Sequence, residues 1–152
     1  MKNLIFKPLL AAAIVAVSFT GCDDDDDDND LNISNLPYAI TSYISENYPN
    51  ATITSAELEA NGDYDVEILD GTTQKDVLFD SAYEWIYTEW DVAVADLPIN
   101  VTTAISNTYS DYTIDDAEYY ETTDGDYYYL ELEKSGSADI YVKVDAEGNI
   151  IE

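Results

Sequence analysis

The chain has no histidine, no arginine and only one cysteine, Cys22. Without histidine, neither a Ser-His-Asp nor a Cys-His arrangement can be assembled. A single cysteine allows no internal disulfide. Beyond residue 22 neither Cys nor His is available as a zinc ligand. Cationic side chains are almost as scarce. Five lysines, at positions 2, 7, 75, 134 and 143, stand against 33 acidic residues, for a net charge of −28. That balance argues against binding to a phosphate backbone or to an anionic membrane surface. Basic protein surfaces and divalent cations are the partners that electrostatics permits.

Long apolar runs are lacking too, with one exception. Leu9 to Val17 is unbroken, but a helical span needs about 20 apolar residues. Lys2 and Lys7 precede the run, and small or polar residues follow it up to Cys22. Residues 1–21 therefore read as an export signal. Phe19-Thr20-Gly21-Cys22 resembles the lipobox of bacterial lipoproteins, in which the cysteine carries lipid. Each buried methylene would add about 0.8 kcal/mol to membrane attachment. Residues 22–34 follow as an acidic tether, with six consecutive aspartates at Asp23–Asp28. Like charges this dense stay solvated. Ten extended residues reach at most about 35 Å. Beyond serving as a spacer, the run resembles the surface-export signal of Bacteroidetes lipoproteins. That implies a lipid-anchored protein of the outer membrane exposed at the cell surface, with the periplasmic face as the alternative. The run lacks the Gly and distal Glu of an EF-hand loop.

What the remaining sequence does have is one pattern written twice. Leu36-Pro37, Ile40, Ile44 and Tyr48 return as Leu97-Pro98, Val101, Ile105 and Tyr109, each 61 residues later. Spacing by four is one apolar face of a three-turn helix. Asn35 or Ser34 is the expected cap of the first helix, and Asp96 that of the second. Strand-like alternation follows. Ala56, Leu58 and Ala60 alternate with acids, Asn61-Gly62 marks a type I′ hairpin, and Tyr64, Val66 and Ile68 continue. Asp76 to Asp80 and Glu84 to Tyr87 complete four strands. The second copy offers Ile114 and Ala117, Asp124-Gly125, then Tyr128, Leu130 and Leu132, then Ile140 to Val144, and a last strand at Ile150-Ile151. The expected fold is α+β: two tandem α-β-β-β-β repeats at residues 35–90 and 96–152, joined by a linker at 91–95. Each repeat is a helix on an antiparallel sheet with one buried and one wet, acidic face.

The chemistry is sparse. Most acids alternate with apolar residues, which is the pattern of a solvated strand face, so no catalytic residue is singled out and no enzyme is expected. No cofactor is expected. Calcium is a weaker possibility, with Asp63, Asp65, Asp124 and Asp126 supplying turn oxygens. The fourteen tyrosines are more informative. Tyr119, Tyr120, Tyr127, Tyr128 and Tyr129 crowd one hairpin. If Tyr128 points inward with Leu130, then Tyr127 and Tyr129 point outward with Glu131. Tyrosine brings a large contact area at little cost in rotamer entropy, although it is also simply a good strand residue. Tyr127, Tyr129, Glu131, Tyr119 and Tyr120 are thus the candidate contact residues for a protein partner, with a sugar stacked on the rings or captured cations as alternatives.

A helix opened by Leu-Pro, closed near Tyr48-Pro49 and followed by the Ala56-Glu57 and Tyr64-Asp65-Val66 hairpin resembles the PepSY-like, beta-lactamase-inhibitor-like family common in Bacteroidetes. Phe79-Asp80 before Trp85, and Val144-Asp145 before Gly148-Asn149, add to the likeness, which runs from Asn35 to Glu152. Ser110 stands where the helix-stopping proline is expected, and Tyr83 where the turn glycine is. The resemblance implies a tandem-repeat fold similar to the secreted inhibitor of beta-lactamase. It implies no catalytic residues and no particular inhibitory target.

Overall fold

The computed structural model describes residues 31–151. The export signal, Cys22 and the aspartate run lie outside the described residues.

Both apolar stripes form the expected helices. Helix α1 spans Tyr38–Asn47 and α2 spans Ile99–Thr108. Leu36, Ile40, Ile44 and Tyr48 are buried in one core cluster, and Leu97, Val101 and Ile105 in another. Each fully buried aliphatic chain contributes about 1.5–3 kcal/mol. The expected caps are not used. Pro37 and Pro98 themselves occupy the N-cap positions, without a side-chain cap bond. The physical reason is that proline pushes the preceding residue out of the helical region, so Leu36 and Leu97 are extended and the helices begin after the prolines. Ser34, Asn35 and Asp96 belong instead to short 3-10 turns, Ile33–Asn35 and Val94–Asp96. Asn32 caps the first of these through its side chain.

Seven strands follow in simple order: β1 Ala51–Leu58, β2 Tyr64–Asp70, β3 Thr73–Phe79, β4 Trp85–Asp91, β5 Thr113–Thr122, β6 Tyr127–Glu133 and β7 Ile140–Val144. All pair antiparallel with their sequence neighbours in one sheet, β1 through β7. Asp91, expected in a linker, closes β4 and pairs with Glu118. The Ile150-Ile151 strand shrinks to a single bridge, Val144 with Ile150. Ile151 N–H donates to Lys143 O at 2.8 Å, and on the opposite edge Leu31 N–H donates to Ala56 O at 2.7 Å. The helices lie on the face carrying Val66, Ile68, Val77 and Phe79 in one half and Leu130, Leu132, Val142 and Val144 in the other.

The β1–β2 turn is not type I′. Gly62 has φ +90, whereas Asn61 does not enter the positive region. Glu59 N–H donates to Asp63 O and Gly62 N–H to Glu59 O, which is the three-residue loop with a glycine bulge. Asn61 instead uses its side chain, accepting from Asp63 N–H at 3.1 Å.

The two cores are joined by a polar chain. The hydroxyls of Tyr48 and Thr88 lie 2.8 Å apart, the Tyr48 hydroxyl donates to Glu121 at 2.8 Å, and Trp85 Nε1 donates to Thr88 at 3.0 Å. The single phenolic proton serves Glu121, so Thr88 donates to Tyr48 while receiving Trp85. Every polar atom of Thr88, which is fully buried, is thereby satisfied. Thr88→Val would strand the Trp85 and Tyr48 partners, and is expected to cost about 1–3 kcal/mol in urea unfolding.

Two turns with the same backbone hydrogen bond carry different residues at the position of positive φ. Asp80 N–H donates to Glu84 O, and Asp145 N–H to Asn149 O. Between them sit Tyr83, at φ 68, and Gly148, at φ 90. Tyr83 packs edge-on against Tyr64 at 5.4 Å, which offsets part of its backbone strain. A Cβ on Gly148 would come within 2.7 Å of the Asn100 carbonyl oxygen at the start of α2. Gly148→Ala is therefore expected to lower stability by about 1–3 kcal/mol. Tyr83→Gly should cost much less, within about 1 kcal/mol of neutral, because relieved strain opposes the lost ring contact. Denaturant unfolding of both variants checks the contrast.

Candidate functional site

Strand alternation sends every second side chain away from the helices. On that open face the register builds rows across the sheet. One row runs Ser55, Glu67, Asp76, Glu89, Tyr120 and Tyr127 from β1 to β6. Its neighbour brings Asp91, Glu118, Tyr129 and Lys143 together from β4 to β7. On the other side, Glu57, Asp65, Leu78 and Tyr87 align from β1 to β4. The result is a carboxylate half over β2–β4 and a tyrosine half over β5–β7. Neither core cluster includes any of these side chains.

The tyrosines pack on one another. Tyr120 and Tyr127 stack with ring centroids 5.0 Å apart, and Tyr129 and Tyr141 at 5.6 Å. Tyr87 adjoins Tyr120 at 5.3 Å. The Lys143 ammonium sits 4.4 Å over the Tyr127 ring, and burial lowers its pKa. Tyr141 donates to Glu131 at 3.1 Å.

The carboxylates are crowded and short of donors. Asp65 Oδ1, Asp76 Oδ1 and Glu89 Oε2 are shielded from solvent and accept no hydrogen bond. Burial, reinforced by neighbouring acids, pushes Asp65 up to about 6, and Asp76 and Glu89 up to about 7. Glu118 is raised as well, mainly by burial. The Tyr120 hydroxyl donates to Glu118 at 3.1 Å and also faces Glu89. One phenolic proton cannot serve two carboxylates fully, and burial among like charges favours the protonated form of these acids. Chemically, such a row takes up either protons or a cation.

Of the candidate contact residues, Tyr120, Tyr127, Tyr129 and Glu131 lie on the open face. Tyr119 does not: it sits on the helix-bearing side against Trp90 and Tyr128, at 4.8 and 4.9 Å. Adjacent strand residues point to opposite faces, so Tyr119 and Tyr120 cannot share a surface. The candidate calcium oxygens are not gathered. Asp63 accepts from Asn61 at 2.7 Å, and Asp126 accepts from Thr122 N–H at 3.1 Å and from the Tyr119 hydroxyl at 3.3 Å. Asp124 lies exposed in the β5–β6 turn, with β3 and β4 between that hairpin and Asp65 on β2. Among the described residues no group of three or more His, Cys, Asp or Glu is arranged to hold a metal ion. Sequence reasoning missed Asp76, Tyr87, Glu89 and Glu118. The alternation Tyr87, Glu89, Asp91 was the available signal, hidden by ending the expected strand at Tyr87.

The architecture, two helices on one face of a seven-stranded antiparallel sheet, is the α+β fold of BLIP-like proteins. A BLIP-like protein from Bacteroides fragilis superposes with a TM-score of 0.66 at 24% identity, over 77% of this chain and 85% of that one. A protein from Bacteroides eggerthii, described as a putative periplasmic protein, gives 0.62 at 15%, over 76% and 86%. The family described as "Putative beta-lactamase-inhibitor-like, PepSY-like" matches residues 25–71 and 62–152, and the chain belongs to it. No curated protein matches the sequence.

Stability should follow the acid row. A carboxyl whose pKa is higher folded than unfolded binds its proton more tightly when folded. The resulting stability is fully present below the unfolded values near 4 and is lost as pH rises through 6 and 7. The midpoint of thermal unfolding is therefore expected to be higher at pH 5 than at pH 8. Asp76→Asn with Glu89→Gln should raise the pH 8 midpoint and flatten the profile.

Proposed function

We propose that this protein is a non-catalytic, lipid-anchored binding module of the cell envelope that recognises a protein partner through the open sheet face. The carrying observation is the uncovered row of stacked tyrosines beside carboxylates, Tyr120, Tyr127 and Tyr129 with Glu118 and Glu131. Large aromatic rings ordered by mutual stacking lose little further entropy on contact, and carboxylates at their margin select the partner's charge. No element of the described residues covers this face, so it is available for docking.

The anchor and address rest on sequence. Cys22 directly after the export signal takes the lipid, and the aspartate run that follows supports outer-membrane surface exposure. The description of a structural neighbour as periplasmic agrees with an envelope location. The return of Leu36, Ile40 and Ile44 as Leu97, Val101 and Ile105, each group buried in its own core, supports reading the halves as tandem repeats.

Affinity capture from envelope and secreted extracts tests the binding role. The wild-type protein should retain a saturable protein partner. Tyr127→Ser with Tyr129→Ser should lose it at least about tenfold, as expected for aromatic anchors, while retaining a cooperative thermal transition. Equal capture by the double variant would remove this face from the function.

A further inference from the structure

We propose that the open face docks a cationic protein segment, with an arginine or lysine head group seated among Glu67, Asp76, Glu89, Asp91 and Glu118 and the adjoining residues lying on Tyr120 and Tyr127. This rests on the protein-binding reading above and specifies the partner's chemistry.

The acidic half of the face is not flat. Glu67, Gln74, Asp76, Glu89, Trp90, Asp91 and Glu118 line a cleft of about 210 Å³ at the middle of the sheet. Asp76 pairs across strands with Glu89, and Asp91 with Glu118, so carboxylates face one another over its length. Asp76 Oδ1 and Glu89 Oε2 accept no hydrogen bond from the described residues, and both residues line the cleft. A guanidinium brings five N–H donors in a planar fork and an ammonium brings three, so either offers donors and opposite charge to the carboxylates that line the cleft. The carboxylates stand in rows across neighbouring strands, and no group of three or more is arranged for a metal ion among the described residues. A spread-out head group on a long stem suits that spacing better than a point cation.

The chain's own lysines are engaged elsewhere. Lys75 is on the helix-bearing side with Asp70 at 3.1 Å, over the Trp90 ring at 4.3 Å. Lys134 pairs with Asp111 at 3.1 Å. Lys143 lies against Tyr127, toward the tyrosine end. The stacked pair Tyr120 and Tyr127 continues the cleft's row, so a segment leaving it meets ring faces at once. Charge complementarity then fixes the direction of docking, with the cation toward β3–β4 and planar or apolar groups toward β5–β6.

The test is calorimetric titration of the full mature protein with an acetylated, amidated hexa-arginine peptide at pH 6.5, in two buffers of different ionisation enthalpy. A hexa-glutamate peptide serves as control. Seating a cation among carboxyls whose pKa is raised should release protons. Carboxylates already fully ionised at this pH would bind the peptide without proton release. Expected are arginine-selective binding with net proton release, and about tenfold weakening together with loss of that release in Asp76→Asn/Glu89→Gln. The double variant's pH 8 thermal midpoint reports that it is folded. Binding without proton release, or unchanged in the double variant, overturns the proposal. If envelope capture depends on Tyr127 and Tyr129 but not on Asp76 and Glu89, the protein-binding reading stands and the cationic segment falls. An empty capture alongside cleft-dependent peptide binding sinks the former and keeps the cleft.

Discussion

The pairing of β4 with β5 is the constraint on which the rest depends. Five residue pairs, Tyr87 with Thr122 through Asp91 with Glu118, turn two small helix-backed cores into one sheet. Neither core alone holds many buried side chains, and units of this size are marginal when isolated. The seam is reinforced on the buried side by the chain from Trp85 through Thr88 and Tyr48 to Glu121, which ties α1 to a strand of the other core. On the open side the same seam places Glu89 beside Tyr120 and Asp91 beside Glu118. One hydrogen-bonded ladder therefore both completes the fold and composes the face.

That face opposes the fold's stability. Carboxylates stacked across neighbouring strands repel, and burial removes the water that would screen them. The molecule answers with hydroxyl donors rather than with cations, which it scarcely has. Tyr120 donates to Glu118, Tyr141 to Glu131 and Ser55 to Glu67. Asp65, Asp76 and Glu89 receive too few donors and become unusually basic acids. Local rules are thus broken in one region while both hydrophobic cores obey them.

The helices were legible because spacing by four leaves little alternative, and the inward strand residues because alternation with acids is strict. Helix starts were misread: a polar residue before Leu-Pro looks like a cap, yet proline moves the helix boundary past itself. The β1–β2 loop was misread because Asn61-Gly62 suggests a two-residue turn, while only Gly62 takes the positive φ. Tyr83 was marked as standing in a glycine's place, and its φ of 68 follows. The candidate surface was only half visible. Tyr127, Tyr129 and Glu131 follow from alternation within one hairpin. Their carboxylate neighbours on β3 and β4 depend on a pairing between strands separated by a whole helix, which no local pattern encodes.

Both borders of the sheet are occupied at one point by the chain itself. Leu31 donates to β1 at Ala56, and Ile151 donates to β7 at Lys143, where the Val144–Ile150 bridge also sits. An incoming strand could not zip along either border without first peeling these segments away. Growth of the sheet into filaments is discouraged, which matters for a protein rich in β-favouring tyrosine and valine. The side-chain chemistry of the broad surface is thus set apart from the backbone borders, where the chain's own ends oppose the addition of a strand.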